Sequence, residues 1–444
     1  MNVTVNPDVS PRMTDADGNL SRLCTRIAWR LLPLLFLGML ASYLDRVNVG
    51  FAKLRMLSDL SMSEASYGLG TGLFFLGYIL CEVPSNAFMV RFGARRWLAR
   101  ILITWGVCSG AMALVHSASM FYVLRLLLGI AEAGFMPGVL FYLSQWFPPA
   151  YRARVTGWFM VGIPLASVIG GPVSGLILGR MEGVIGIEGW RWLFFLEATP
   201  PVLLGILIFF RLPDRIETAH FLSADEKTLL MAHRVVPEHT NILHGIKAAL
   251  RDSRIWKLGL ADGALLLGLY TIAFWVPSLL RDAGVRSMVW TGILTAIPNI
   301  GATLAIIAIG WNSDRTGERR WHIVIPILAG ALMLALLPLA HGSLPLIILF
   351  ITLANMGIIG SLAPFWALPS LLLKDPATVA AGLAMIGGIS NLAGFMATGL
   401  IGWARSIAPG SWSIFVFFAA CVAIGGALVW SIPELNHRDT DSRP

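Results

Sequence analysis

Apolar residues are gathered into runs long enough to cross a membrane, with short polar stretches between them. The runs lie at 27–49, 67–90, 98–117, 119–143, 155–178 and 190–212, then at 256–280, 289–311, 322–340, 343–366, 378–403 and 412–432. About 20 apolar residues carry a helix across the hydrocarbon layer. The pattern therefore predicts an all-α polytopic membrane protein of twelve transmembrane helices, divided six and six by a polar linker at 213–255. Within the linker, Ser223 precedes Glu226 by three residues, the spacing of a capping box, so a short surface helix is expected there.

Composition sharpens this. Of the 444 residues, 56% are hydrophobic and 13% charged, against roughly 45–50% and 25% in soluble domains. That little charge cannot cover a water-facing surface, which excludes cytosolic, disordered and fibrous classes. The net charge of +8 is explained by topology once the basic residues are placed. Arg91, Arg95, Arg96, Arg100, Arg152, Arg154, Arg315, Arg319, Arg320 and Lys374 fall on one side, joined by the linker's Arg215, Lys227, Arg234, Lys247, Arg251 and Arg254. The other side has fewer: Arg46, Lys53, Arg55, Arg180, Arg191, Arg281, Arg286 and Arg405. The richer side is expected to be cytoplasmic. That puts both the 1–26 and the 433–444 tails in the cytoplasm of a multi-pass protein of the cell (inner) membrane. No nucleic-acid partner is expected. Residues 1–26 show no leader pattern. Cys24, Cys81, Cys108 and Cys421 form no CxxC pair, so neither a disulfide framework nor a thiolate metal site is expected.

A repeat supports the division into halves. Arg91-Phe-Gly-Ala-Arg-Arg-Trp97 recurs as Arg315-Thr-Gly-Glu-Arg-Arg-Trp321, an offset of 224 residues (315 − 91). Each copy sits between the second and third runs of its half, as a duplicated 6+6 bundle requires. The bundles are then 27–212 and 256–432, with a substrate site expected between them near the bilayer midplane.

The second copy, from Gly310 through Asp314, Arg315 and Gly317 to Arg320, resembles the loop signature of the major facilitator superfamily. The first copy, with Arg91, Gly93 and Arg95, departs from it in having Val90 where an aspartate is usual, which weakens the charge lock assigned to this loop. Leu44-Asp45-Arg46-Val-Asn48, Glu82-Val-Pro84-Ser-Asn86, Arg125 with Glu132, Trp190 to Glu197, Pro364-Phe-Trp366 and Ser390-Asn391 together resemble the anion:cation symporter family of tartrate, galactonate and phthalate permeases. This resemblance implies a proton-coupled carrier of a small carboxylate, with Arg46 facing the cavity and Glu132 serving proton coupling.

Read as residues, the same positions keep two roles open. Charges inside the bilayer cost about 2.5–3.5 kcal/mol each on insertion scales, so each needs a partner or a purpose. Asp45 and Arg46 close the first run, where Arg46 either snorkels to the headgroups or grips a carboxylate with its planar fork. Arg125 and Glu132 lie seven residues apart, close to two turns and about 10 Å along one helix face. They form either a structural ion-pair network or an anion and proton site, with Asp45 as a second candidate for the proton. Tyr43, Tyr78, Tyr270 and Trp366 can line a cavity or pack between helices. Asn391 can meet a ligand or bond a neighbouring helix. No catalytic, phosphate-cradling or metal-binding motif is present, so neither an enzyme nor a cofactor is expected. The protein reads as a secondary transporter functioning as a monomer in the bilayer. An anion or phosphate exchanger of the same superfamily is the alternative, ahead of a membrane enzyme or transporter-like sensor.

Overall fold

The computed structural model describes residues 15–233, 242–373, 375–407 and 414–433. Most of both tails, together with Arg234 and Lys374, lies outside the described residues. The helices of the N-terminal half are α1 (Asp15–Asp59), α2 (Glu64–Phe92), α3 (Ala94–Ala111), α4 (Ala118–Glu132), α5 (Phe135–Trp146), α6 (Pro149–Met160), α7 (Gly162–Arg180) and α8 (Gly189–Arg211). The linker carries α9 (Ala224–Ala232) and α10 (Ile242–Arg251). In the C-terminal half come α11 (Ser253–Asp282), α12 (Met288–Thr316), α13 (Arg320–Leu336), α14 (Leu344–Gly360), α15 (Leu362–Phe365), α16 (Leu368–Leu372), α17 (Pro376–Ile407) and α18 (Ile414–Trp430). Among the described residues, eleven helical segments are long and apolar enough to cross a membrane, and Ile414–Trp430 is a shorter apolar twelfth. The twelve follow the order of the sequence runs.

Local chemistry sets the ends. Ser63, Ser117 and Ser287 cap α2, α4 and α12, each side chain accepting a hydrogen bond from a first-turn N–H. The fourth span is broken at its midpoint: α4 stops at Glu132, Gly134 turns with φ +86°, and α5 starts at Phe135. A positive φ suits glycine, which has no Cβ to clash. The first helix runs further than its apolar pattern implied. It continues through Asp45, Arg46 and Lys53 to Asp59, so these charges sit inside a helix and not at its end.

The expected capping box is present at α9. Ser223 accepts from the Glu226 N–H, and Glu226 accepts from the Ser223 N–H at 2.9 Å. Arg26 of α1 also pairs with the Glu226 carboxylate, pinning the linker to the bundle. The Ser223 N–H and the Arg26 guanidinium hold the Glu226 carboxyl below the usual glutamate range. A depressed acid stabilises above its ordinary value, about 4.3, and that stabilisation is lost as pH falls through the lowered value. Amide exchange in α9 should therefore accelerate selectively below about pH 4; unchanged protection there would remove the cap's role.

Because spans alternate in direction, the loops at 93, 147–149 and 317–319 share one face with the linker, here called the linker face. Loops at 60–63, 115–117, 181–188, 283–287 and 341–343 share the opposite face. The halves meet most closely near the opposite face. A Cβ on Gly292 of α12 would come within 2.2 Å of the Gly171 carbonyl oxygen of α7, and one on Gly68 of α2 within 2.4 Å of the Thr398 oxygen of α17. Gly175 and Gly402 take part in the same two seams, at 2.6 and 2.5 Å. Small residues let helix backbones approach this closely. Toward the linker face, Gly387 and Gly388 of α17 have open space where a side chain would be.

Candidate functional site

The site grows from α1 and the broken fourth span. Glu132 ends α4 in the middle of the span Ala118–Trp146, 1% exposed. Its Oε1 accepts from Arg46 Nη2 at 2.7 Å, Arg46 Nε at 3.1 Å and Ser42 Oγ at 2.7 Å. Its Oε2 is buried without a hydrogen-bond partner. Arg46 is thus bound along one edge, while Nη1 turns to the Tyr270 hydroxyl of α11 at 3.4 Å. The rings of Tyr43, Phe74 and Tyr78 lie 4.9, 5.2 and 5.3 Å from the Arg46 guanidinium carbon. Aromatic faces stabilise a partly desolvated cation in this arrangement.

Arg125 also lies against Phe74, 4.9 Å from that ring, and is 1% exposed. Its one described hydrogen bond is long, 3.5 Å to the Thr71 carbonyl oxygen, and its Nε has no partner. Among the described residues it makes no ion pair. A buried cation with no counter-ion is costly and attracts an anion.

Asp45 is placed differently from its neighbour. Adjacent residues of a helix point about 100° apart, and Asp45 faces α3. It accepts from Trp105 Nε1 at 3.0 Å, from Asn48 Nδ2 at 3.2 Å and from Ser109 Oγ. Of the expected aromatics, Tyr43, Tyr78 and Tyr270 gather around Arg46. Trp366, 39% exposed, stands beyond α15 against Phe365. Asn391 is half-buried on α17 and makes no hydrogen bond among the described residues.

Several contributors escaped the sequence reading. Lys53, counted there as a loop charge, is 2% exposed inside α1 and pairs with Glu64 at 2.6 Å. Its ammonium lies 5.1 Å from the Tyr67 ring and 4.9 Å from the Trp275 ring of the other half, closing the opposite face. The signal was available: Lys53 follows Arg46 by seven residues, the spacing that relates Arg125 to Glu132. Asp262 of α11, left unassigned from sequence, is fully buried and accepts from Ser390 Oγ of α17. Glu197, at the end of the Trp190–Glu197 stretch singled out in the sequence, accepts from Ser174 Oγ at 3.0 Å and so packs α8 against α7.

The two loop copies keep matching arginines but draw carboxylates from different places. Arg319 pairs with Asp314 of its own loop at 2.6 Å. The equivalent Arg95 has Val90 at the matching position, and Asp214 of the linker supplies the carboxylate instead. Asp214 accepts from the Arg95 N–H at 2.8 Å and approaches its Nε at 3.4 Å, over Gly93 at φ +89°. Gly317 has φ +67° and ends α12. Arg91 and Arg315 lie over the neighbouring Phe92 and Trp311 rings.

A model of the Major Facilitator Superfamily matches residues 35–398. The chain is 45% identical to the metabolite transport protein NicT of Pseudomonas putida over 95% of this chain and 96% of that one. It is 42% identical to a protein of Agrobacterium vitis named as a tartrate transporter, over 92% and 94%. Among solved structures, a bacterial homologue of the human lysosomal transporter Spinster, in an inward-facing and unoccupied conformation, superposes with a TM-score of 0.72. That match covers 91% of this chain and 96% of the other at 17% identity, and so speaks for the fold.

Proposed function

The chain belongs to the Major Facilitator Superfamily and is a multi-pass membrane transporter of small organic compounds, not an enzyme; on that premise we propose that its cargo is a small organic anion and its driving ion the proton. The substrate class we infer is a hydroxy-acid, sugar-acid or aromatic carboxylate. A relative named for tartrate supports the first of these. We place the protein in the cell (inner) membrane, as a monomer, with the linker face and both termini cytoplasmic.

The observation that carries this reading is the Arg46–Glu132 pair. Arg46, Arg125, Asp45 and Glu132 together are neutral when all are ionised. An incoming carboxylate adds one negative charge to a buried cluster, and a proton on Glu132 removes it. Protonated Glu132 then no longer competes for the Arg46 edge, so the guanidinium is free to bind the cargo bidentately. The unpartnered Oε2 gives the proton a place to sit. Arg125 receives the far end of the anion, and Tyr43, Tyr78 and Tyr270 shape the pocket between. Asp45, held by Trp105 and Ser109, orients α1. The two halves rock about this site, opening it to each face in turn, and the Arg95–Asp214 and Arg319–Asp314 pairs brace the linker-face loops.

Uptake of tartrate and a panel of radiolabelled carboxylates into proteoliposomes, with and without an imposed pH gradient, tests the proposal. At least one acid should accumulate with the proton gradient and equilibrate without it. Accumulation indifferent to pH would assign the protein to anion exchange. Transport restricted to uncharged or cationic compounds would refute the carboxylate cargo.

A further inference from the structure

A second cationic site lies outside the transport path. On the linker face, between the α2–α3 turn and the chain leaving α8, is a cavity of about 610 Å³. Arg30, Arg91, Arg95, Arg96, Arg211 and Arg215 line it, and Asp214 is the acidic residue in its wall. Arg95 is taken by Asp214 and Arg30 stacks 4.6 Å from Phe221. Arg96, Arg211 and Arg215 are exposed and, among the described residues, carry no ion pair. A topological excess of basic residues requires only net charge on one side of the membrane. It does not require six guanidiniums from three separate chain segments to converge on one hollow.

The rim tells what kind of anion fits. Phe92 and Phe210 line the cavity and are 47% and 74% exposed, at the ends of two membrane-spanning helices. Phe92 stacks with Trp97, and Phe209 lies edge-on to Phe210, extending this apolar edge. A cationic hollow bordered by exposed aromatics at the end of the spans matches an anionic headgroup whose tails lie alongside the protein. The α3 N-terminus opens into the same place, and its Arg95 N–H already holds a carboxylate oxygen at 2.8 Å. Guanidinium groups pair with phosphate oxygens bidentately, and helix N-termini favour anions.

We propose that this cavity binds a phosphoryl anion presented by an anionic phospholipid, with the headgroup among Arg96, Arg211 and Arg215 and the acyl chains along Phe92 and Phe210. The site is independent of the proposed cargo and coupling ion. Its occupation ties the end of α8 and the start of the linker to the first turn of α3, since Arg211 closes α8, Arg215 lies in the linker and Arg96 lies in α3.

The test is native mass spectrometry of the purified protein after exchange into phosphatidylcholine with or without phosphatidylglycerol. The wild type should retain phosphatidylglycerol selectively. The triple variant Arg96→Gln, Arg211→Gln, Arg215→Gln should lose it, each arginine contributing about fivefold in affinity. The charge-preserving variant Arg96→Lys, Arg211→Lys, Arg215→Lys should recover most of the retention, which separates binding from misfolding. If inorganic phosphate binds to the wild type and not to the glutamine variant, while phosphatidylglycerol shows no preference, the phosphoryl site stands with a soluble source. Equal retention of both lipids by wild type and glutamine variant, with no phosphate binding, overturns the proposal.

Discussion

Glutamine in place of Glu132 should abolish uphill accumulation of the transported acid. Glutamine keeps an oxygen that can accept from Arg46 and Ser42, so the α1–α4 contact survives. What it removes is the ability to change charge. The cluster of Arg46, Arg125 and Asp45 then carries a fixed positive charge, which the anion neutralises without a proton. For a monoanion moving with one proton, a gradient of one pH unit supports about tenfold accumulation in the wild type. The variant should reach a ratio of about one, while exchange of labelled for unlabelled acid continues. The contrast between net uptake and exchange is the decisive readout, because a folding defect suppresses both. Wild-type accumulation by Glu132→Gln would remove this residue from coupling.

Valine in place of Gly292 stops the cycle mechanically. The added Cβ would meet the Gly171 oxygen at 2.2 Å, its carbonyl carbon at 2.9 Å and the Gly175 Cα at 3.1 Å, all backbone atoms of α7. No rotamer change relieves a backbone clash, so the helices must separate by at least about 1.2 Å to reach ordinary contact. Overpacking of this kind costs about 1–3 kcal/mol or more. In the rocking cycle proposed above the seam closes only when the opposite face is shut, so the cost falls on one conformation. The population closed at that face should drop by about 100-fold, and turnover with it. A cysteine placed at Gly387 reports on the linker-face opening. Its labelling by a membrane-impermeant maleimide should slow sharply in the Gly292→Val background. Unchanged labelling and transport would show that the seam is not the gate.

The twelve spans, the linker with its capped helix and the duplicated loop were all legible in the sequence, because each rests on local periodicity or repetition. Pairings between helices were not. Seven-residue spacing linked Arg125 to Glu132, yet the partner of Glu132 is Arg46 on another helix, a pairing that no spacing within one helix encodes. Arg46 and Asp45 are neighbours in the chain and part company because a helix turns them to different faces. Lys53 looked like a loop residue because the apolar run ends before it, whereas the helix does not. The carboxylate missing at Val90 was read as a weakened lock, and only the folded linker shows Asp214 taking its place. Trp366 was selected for its residue type, which carries no direction.

The partnership of Arg46 with Tyr270 has a further meaning. These residues stand 224 positions apart, the offset of the duplicated loop, so they occupy equivalent places in the ancestral unit. One copy has a cation there and the other a phenol. Ionic chemistry is concentrated in the first copy, leaving the second free to vary its contribution to the pocket wall. A substitution in the second half therefore reshapes the pocket wall without removing either charge of the Arg46–Glu132 pair.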